Sequence, residues 1–168
     1  MKEEYNFCQR CGADLEFKPV EQRLRPSCVS CGWVVFQDPK VVVAALVVEG
    51  REVALVKRGP GVGEGKWSFP AGYVDRGETL QDAVVREARE EIGVEVYPMD
   101  LVGLYSREND PIVLVIYEAK VMGGEITPQG EVLEAAWFPV DDLPPLAFSR
   151  DASIIAKWVD AHPEAGMQ

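Results

Sequence analysis

The spacing of apolar residues along the chain predicts a series of β-strands. An uninterrupted apolar run at 41–48 has the length of a buried strand, and residues 52–57 follow it across Gly50, which predicts a β-hairpin. Further strands are predicted at 101–106, 112–121 and 135–140. Because helical segments separate some of these runs, we expect an α/β fold in which a mixed sheet lies between helices.

Two segments show the 3.6-residue period of an amphipathic helix. The first is expected to begin after Thr79, whose hydroxyl can cap a helix, and to end at Gly93, which can adopt a left-handed conformation. Its buried side is expected to carry Ala83, Val84, Ala88 and Ile92. The second helix is predicted at 150–161. Its buried stripe is expected to contain Ile154, Ile155, Trp158 and Val159.

The first helix carries an acidic cluster. Glu87, Glu90 and Glu91 stand at i, i+3 and i+4, so a helix projects all three from one face. Like charges at this spacing destabilise an isolated helix, whereas a hard divalent cation such as Mg²⁺, bound through the carboxylate oxygens, would reverse that penalty. An acidic face that is simply solvated is the alternative interpretation.

The segment around this cluster resembles a known motif. Residues 72–94, GYVDRGETLQDAVVREAREEIGV, match the Nudix box G-x5-E-x7-R-E-U-x-E-E-x-G-U, in which U is aliphatic. Every fixed position agrees, and Ala88 occupies the first aliphatic position. The resemblance implies the Nudix fold, an α/β/α sandwich with a mixed sheet, and a metal site built from a loop, a helix and a loop.

The resemblance also implies roles for individual residues. The ligands of a catalytic Mg²⁺ or Mn²⁺ would be Gly72, through its carbonyl, Glu87, Glu90 and Glu91. Glu87 or Glu90 could accept the proton of the attacking water, and a later loop could supply a further catalytic carboxylate, for which Glu131 is favoured over Glu134. Glu78 and Arg86 would support the loop through a charge pair.

Four cysteines form a second motif, ahead of this segment. Cys8-x-x-Cys11 and Cys28-x-x-Cys31 are separated by sixteen residues, a spacing typical of a four-cysteine zinc site. Four thiolates complete the tetrahedral shell of a structural zinc ion. Iron on the same ligands and two disulfides are the alternatives, and a cytoplasmic chain disfavours disulfides. We therefore predict a zinc ribbon over residues 1–36 and a Nudix hydrolase domain over residues 37–168.

Charge and composition limit the classes of binding partner that we expect for this chain. The apolar fraction of 47% is that of a globular chain, and the net charge of −11 argues against nonspecific binding to nucleic acid or to an anionic membrane. Residues 1–36 carry five basic and five acidic residues, so the ribbon is expected to be a scaffold or to help form a homodimer rather than to grip phosphates. No apolar run has the length of a membrane span, and the N-terminus lacks the apolar core of a signal peptide, so a cytoplasmic location is expected.

Metal-assisted hydrolysis of a phosphoanhydride is the predicted chemistry. Carboxylates that gather Mg²⁺ suit a substrate rich in phosphate oxygens, and the single histidine, His162, lies near the C-terminus, so no Ser-His-Asp set is available. A ribbon ahead of a Nudix domain resembles the ADP-ribose, FAD and NADH pyrophosphatases. The SQPWPFPxS signature of the NADH enzymes is absent, which makes NADH the less favoured substrate. ADP-ribose or FAD is favoured, because residues 37–43 and 146–149 resemble a ribbon-Nudix group that acts on them. Pro111 also lies close to the position of a proline that marks many ADP-ribose enzymes.

Aromatic rings could clamp a base, and arginines could contact a diphosphate. The substrate-binding candidates are Arg58, Trp67, Tyr73, Arg107 and Phe148. Core packing is the alternative for the rings, and a surface ion pair is the alternative for the arginines. For the whole chain, the alternative function is a nucleotide-sensing or RNA-associated binding module without catalysis. A Nudix-fold isomerase acting on prenyl diphosphates is disfavoured by the intact box.

Overall fold

Two separate sheets contain the strands of residues 6–163, the part of the chain that the computed structural model describes. The chain divides into two compact units, Met1–Pro39 and Lys40–Gln168. No helix in the described residues is long and apolar enough to cross a membrane. The domain boundary that we predict after residue 36 stays a prediction, since a division into compact units does not define which residues carry out a function.

The first unit is built on a two-stranded antiparallel sheet, β1 (Leu15–Val20) and β2 (Arg23–Cys28). Glu21 and Gln22 join them with positive φ values of 47° and 66°, the backbone geometry of a tight hairpin turn. The sequence pattern did not predict these strands, because each contains a proline and β1 exposes most of its side chains to solvent.

The second unit contains the remaining elements. They are β3 (Lys40–Glu49), β4 (Glu52–Lys57), β5 (Trp67–Ser68), β6 (Ala71–Tyr73), α1 (Leu80–Ile92), β7 (Glu95–Tyr105), β8 (Ile112–Gly123), β9 (Glu134–Pro139) and α2 (Ser149–Ala161).

Strand β3 organises the sheet of the second unit. The strand order is β5-β4-β3-β8-β7, with β6 also paired to β3 and β9 also paired to β4. Strand β3 runs parallel to β8 and antiparallel to β6, and its last two residues pair with β4 in the predicted hairpin. The sheet is therefore mixed, as predicted.

Alternate side chains of β3 enter two different cores. Val43, Ala45 and Val47 pack with the buried side of α1, whereas Ala44 and Leu46 pack with that of α2. All five are at most 2% exposed, and burial of each larger side chain contributes about 1.5–3 kcal/mol. A helix thus covers each face of the sheet, which confirms the predicted α/β/α arrangement.

The ends of α1 agree with the sequence signals. The Thr79 hydroxyl accepts a hydrogen bond from the Asp82 backbone N–H at 3.1 Å, and Gly93 follows the helix with φ of 72°. The predicted buried residues Ala83, Val84, Ala88 and Ile92 are all fully buried. In α2, Ile154, Ile155 and Trp158 are buried, and Val159 is half-buried.

Strand β7 begins six residues earlier than predicted. It starts at Glu95, and its pairing with β8 shifts register between Pro98 and Leu101 and again before Gly103. These irregularities interrupt the alternation from which the strand was predicted at 101–106. Pro98 is tolerated because β7 lies at the end of the strand order, where a missing backbone N–H costs little.

Candidate metal centre and active site

Strand β6 contacts helix α1 through the carboxylates of Glu87 and Glu91. Gly72 of β6 lies so close to the Glu87 carboxylate that a Cβ at this position would overlap it. The neighbouring backbone N–H of Ala71 donates to Glu91 Oε2 at 2.9 Å. Because β6 is itself paired to β3, both carboxylates are positioned against the sheet.

Arg86 connects the loop before α1 to the acidic face. Its Nε and Nη2 donate to the two oxygens of Glu78 at 2.8 and 2.9 Å, and Nη2 also donates to the Tyr73 carbonyl at 2.9 Å. Its Nη1 donates to Glu87 Oε1 at 2.6 Å and to Glu90 Oε2 at 3.2 Å. The hydrogen bonds from Arg86 lower the pKa of Glu78 to about 2, so this carboxylate is charged and fixed.

The acidic residues differ in their exposure. Glu87 is 9% exposed, and burial raises the pKa of its carboxyl group. Burial also raises the pKa of Glu91, to about 7, against the hydrogen bond from the Ala71 N–H. The Glu90 side chain is exposed. Two carboxylates that are costly to keep charged in this environment form the kind of site in which a divalent cation would be stabilising.

The loop before β9 is fastened to the end of α1. The backbone N–H groups of Thr127 and Gln129 donate to the carbonyls of Ile92 and Glu91 at 2.9 and 3.0 Å. Glu131, in this loop, is exposed. Glu134, the other candidate, forms an ion pair of 2.6 Å with Lys57. The structure therefore places Glu131 on a loop attached to the acidic helix and engages Glu134 elsewhere.

A cavity of about 370 Å³ lies on the α2 side of the sheet and borders strand β6, the strand that contacts Glu87. Gly72 and Tyr73 form part of its wall, and Arg58, Phe148 and Arg150 form another part. The guanidinium groups of Arg150 and Arg58 lie over the Phe148 ring, at 4.7 and 5.3 Å from its centroid. The cavity thus combines cationic and aromatic groups, as a site for a phosphorylated heterocycle requires.

The five substrate-binding candidates have different surroundings. Arg58, Tyr73 and Phe148 come together in the cavity wall. Trp67 is 9% exposed and packs edge-on against Phe138 at 4.6 Å between ring centroids, so its ring belongs to the core. Arg107 is exposed and lines a smaller cavity of about 90 Å³.

Sequence reasoning missed two residues at the start of α2. Arg150 and Asp151 both line the larger cavity, and Asp151 is only 2% exposed. A pair of opposite charges at the beginning of an amphipathic helix is ordinarily solvated, so the sequence contains no signal for this burial.

The other end of α2 carries His162, whose ring stacks on Trp158 with centroids 4.7 Å apart.

In the first unit, the four cysteine Sγ atoms all lie within 4.8 Å of one another. Cys8 and Cys31 are 3.7 Å apart, and Cys11 and Cys28 are 3.5 Å apart. Four sulfurs around zinc, each at about 2.3 Å, would be separated by about 3.8 Å. The cysteines are free rather than joined in disulfides, and their arrangement fits a tetrahedral metal site.

The two halves of this cluster repeat the same turn. The Gly12 N–H donates to the Cys8 carbonyl at 2.8 Å, and the Gly32 N–H donates to the Cys28 carbonyl at 3.2 Å. Both glycines have a positive φ, of 74° and 72°. Backbone N–H groups of Cys31 and Ser30 also lower the pKa of Cys28 to about 6, which favours the thiolate that binds metal.

Comparison with known proteins identifies the family. The model of the NUDIX domain matches residues 38–159. The chain belongs to the Nudix hydrolase family, and the predicted Nudix fold is confirmed. A crystal structure of a NUDIX hydrolase from Nitrosomonas europaea superimposes with a TM-score of 0.88 at 28% identity, covering 94% of this chain and 92% of that one.

The chain is similar to relatives that are named for two different activities. The chain is 35% identical over 157 residues to the NAD-capped RNA hydrolase NudC of Pseudomonas aeruginosa, which covers 93% of this chain and 55% of the relative. It is 32% identical over 124 residues to the ADP-ribose pyrophosphatase of Methanocaldococcus jannaschii, covering 71% of this chain and 73% of the relative. The chain spans about half the length of the NudC relatives that it matches.

Proposed function

We propose that this protein hydrolyses the pyrophosphate bond of a nucleoside diphosphate that is linked to a second group. The observation that carries the proposal is that Gly72 belongs both to the wall of the cavity and to the contact with Glu87. A ligand in the cavity would therefore lie against strand β6, with the acidic helix on the other side of Gly72. ADP-ribose or FAD is the favoured substrate and NADH the next, and the names of the relatives support a substrate of this class.

Mg²⁺ or Mn²⁺ is the proposed catalytic cofactor. Its ligands would be the oxygens of Gly72, Glu87, Glu90 and Glu91, a donor set that a hard cation prefers. Glu87 and Glu90 now accept hydrogen bonds from Arg86 Nη1, and they would have to give up part of that bonding to hold a cation. The bonds from Arg86 to Glu78 and to the Tyr73 carbonyl can remain, so the loop keeps its position.

Hydrolysis then needs a proton acceptor and groups that hold the diphosphate. When bound, the metal supplies charge neutralisation at the phosphate oxygens and acidifies a water. Attack by a water on one phosphorus breaks its bond to the bridging oxygen, which leaves with the other phosphate, so that two phosphate monoesters are released. Glu131 is the proposed acceptor of the water proton, with Glu87 or Glu90 as the alternative. Arg58 and Arg150, which line the cavity, are the proposed hydrogen-bond donors to the diphosphate oxygens.

A hydrolysis panel tests this proposal. Purified protein is incubated with Mg²⁺ and ADP-ribose, FAD, NADH, NAD-capped RNA, diadenosine polyphosphates or nucleoside triphosphates, and the products are separated. We expect cleavage of at least one dinucleotide-type substrate into two monophosphates. Glu90→Gln should lose about 100-fold or more in turnover, because a metal ligand loses its charge. The matched control is Glu95→Gln, just after the helix, where the Glu95 carboxylate is exposed and lies 3.8 Å from Arg89.

The alternative is a nucleotide-sensing or RNA-associated binding module without catalysis. It would be favoured if the wild-type protein cleaved none of these compounds yet bound one of them. NAD-capped RNA belongs in the panel because several relatives are named for it, although the net charge of −11 opposes extended contact with an RNA backbone. Unchanged turnover in Glu90→Gln would contradict the assignment of the metal site.

The four-cysteine cluster is proposed to hold one structural zinc ion. Cys8, Cys11, Cys28 and Cys31 would be its ligands and would leave no position open for a substrate. The ribbon, residues 1–36, is proposed as a scaffold, and residues 37–168 are proposed as the catalytic domain. Formation of a homodimer stays a prediction from the sequence.

A further inference from the structure

Asp151 is a buried acidic residue that the proposed hydrolysis does not use. It is the third residue of α2, and it is 2% exposed. Its Oδ2 atom finds no hydrogen-bond partner among residues 6–163. The nearest cation is its neighbour Arg150, whose Nε lies 3.7 Å from Oδ1, beyond the range of a hydrogen bond. A buried carboxyl group without a partner costs stability, so its place in the fold requires an explanation.

The position of Asp151 supplies that explanation. It lines the same cavity as Gly72, and this cavity also contains the apolar side chains of Phe69 and Leu114. A cavity that combines apolar walls and arginines with a buried acceptor, Asp151, and an exposed one, Asp110, has the composition of a site for a flat heterocycle joined to phosphate. The buried acceptor is the group that can discriminate between heterocycles, because apolar walls accept any ring of similar size.

We propose that Asp151 selects the base of the substrate by accepting a hydrogen bond from the exocyclic amino group of adenine. The inference rests on the proposed function, since a ring in this cavity would be connected through its ribose to a diphosphate near the acidic helix. An amino group satisfies the unpartnered Oδ2 without introducing a second buried charge. ADP-ribose, FAD and NADH all contain adenine, so one residue would serve the whole favoured class.

The charges around the cavity favour adenine over the other N–H₂ donor of this class, the amide of nicotinamide. Arg58 and Arg150 both lie over the Phe148 ring at the cavity wall. They oppose the positively charged ring of an oxidised nicotinamide but not adenine, which is neutral, nor the reduced ring of NADH, which is neutral as well. Burial raises the pKa of Asp151 to about 6, against the influence of Arg150 and Arg58.

Ligand binding without the catalytic metal separates this inference from the proposed function. Titration calorimetry of the zinc-loaded protein, in a buffer without added Mg²⁺ or Mn²⁺, measures the dissociation constants of AMP, of purine riboside 5′-monophosphate, which lacks the amino group, and of nicotinamide mononucleotide. We expect the wild-type protein to bind AMP about tenfold more tightly than purine riboside 5′-monophosphate, the effect of one hydrogen bond to a buried charged group. Equal binding of the two purines would overturn the proposal, and so would tighter binding of nicotinamide mononucleotide than of AMP.

Two variants provide the second half of the test. Asp151→Leu has a similar size and no acceptor, so it should bind the two purine nucleotides equally. Asp151→Asn keeps an acceptor and should retain most of the preference for AMP. If folded Asp151→Leu still binds AMP more tightly than purine riboside 5′-monophosphate, a residue other than Asp151 recognises the amino group and the proposal is wrong. If Asp151→Leu fails to fold, Asp151→Ala takes its place in the same comparison of the two purines. Selective AMP binding without hydrolysis of any panel compound would refute the proposed function alone.

Discussion

Gly72 and Glu87 are in direct contact, with no room for a side chain at position 72. The contact explains why this position of the box requires glycine on steric grounds and not only for backbone flexibility. Since Glu87 is buried and also bonded to Arg86, it has little freedom to move away from a larger neighbour.

Replacement of this glycine is the sharpest steric test of the site. In Gly72→Ala the new methyl group displaces the Glu87 carboxylate, and we expect turnover to fall about 100-fold, the cost of misplacing a catalytic group by about 1 Å. Steady-state hydrolysis of the best panel substrate measures the effect. Gly123→Ala is the control, because a Cβ there has no neighbour within 4 Å among the described residues and should leave activity unchanged. Full activity of Gly72→Ala would show that Glu87 does not need its present position.

Arg86→Lys tests the connection between the loop and the acidic helix. Lysine keeps the charge but cannot form the paired bonds to Glu78 together with those to Glu87 and the Tyr73 carbonyl. We expect a lower melting temperature and about a tenfold loss of turnover as the loop loosens. Arg89→Lys on the same helix, where the Arg89 side chain is exposed, should behave as the wild type. Equal melting temperatures for both variants would contradict the structural role of Arg86.

Metal analysis tests the cysteine cluster. Purified protein should contain about one zinc per chain, and Cys28→Ser should lose most of it, since one of four ligands is removed. Ser30→Ala, within the same turn, should retain the metal. A chain that is free of metal and has four thiols open to titration would refute the zinc assignment, and iron in place of zinc would correct the identity of the ion.

The burial of Asp151 predicts an unusual dependence of stability on pH. Its pKa is raised from 3.8 to about 6 by burial, so folding favours the protonated form. The resulting contribution to stability is fully present below pH 3.8 and is lost as the pH rises through 6. Asp151→Asn has no such loss, and we expect it to be more stable than the wild type by about 3 kcal/mol above pH 7 and by much less near pH 4.

Chemical denaturation at several pH values measures this difference. Asp160→Asn, an exposed substitution on the same helix, is the control and should change stability little at any pH. A difference between Asp151→Asn and wild type that does not grow between pH 4 and pH 7 would mean that the carboxyl group is better solvated than its position indicates.

The parts of the structure that sequence predicted are those encoded by local signals. Helix α1 has a capping threonine, a glycine stop and a regular apolar face, and all three are found as expected. The cysteine pairs likewise predict their own proximity, because each pair needs only a tight turn. For such features, the relevant interactions lie within a few residues of each other.

The parts that sequence did not predict depend on distant contacts. Trp67 and Asp151 illustrate the difficulty. The sequence suggested that the Trp67 ring binds a base, but the ring packs in the core. The sequence suggested no role for Asp151, yet this charged side chain is buried in the cavity wall. Neither outcome can be deduced from neighbouring residues, because both follow from how β5, β9 and α2 pack together. The register shifts of β7 have the same character, since only the pairing with β8 defines them.

The hydrogen bonds from Thr127 and Gln129 to the last carbonyls of α1 have a consequence for how the site can change over evolution. They anchor one end of the loop that carries Glu131, and the Leu133 N–H, bonded to the Lys57 carbonyl at 2.8 Å, anchors the other. The few residues between these anchors can vary in identity or number while the helix and sheet keep their geometry. Substitutions in this loop can therefore introduce a new proton acceptor or a different substrate contact without changing the acidic face of α1.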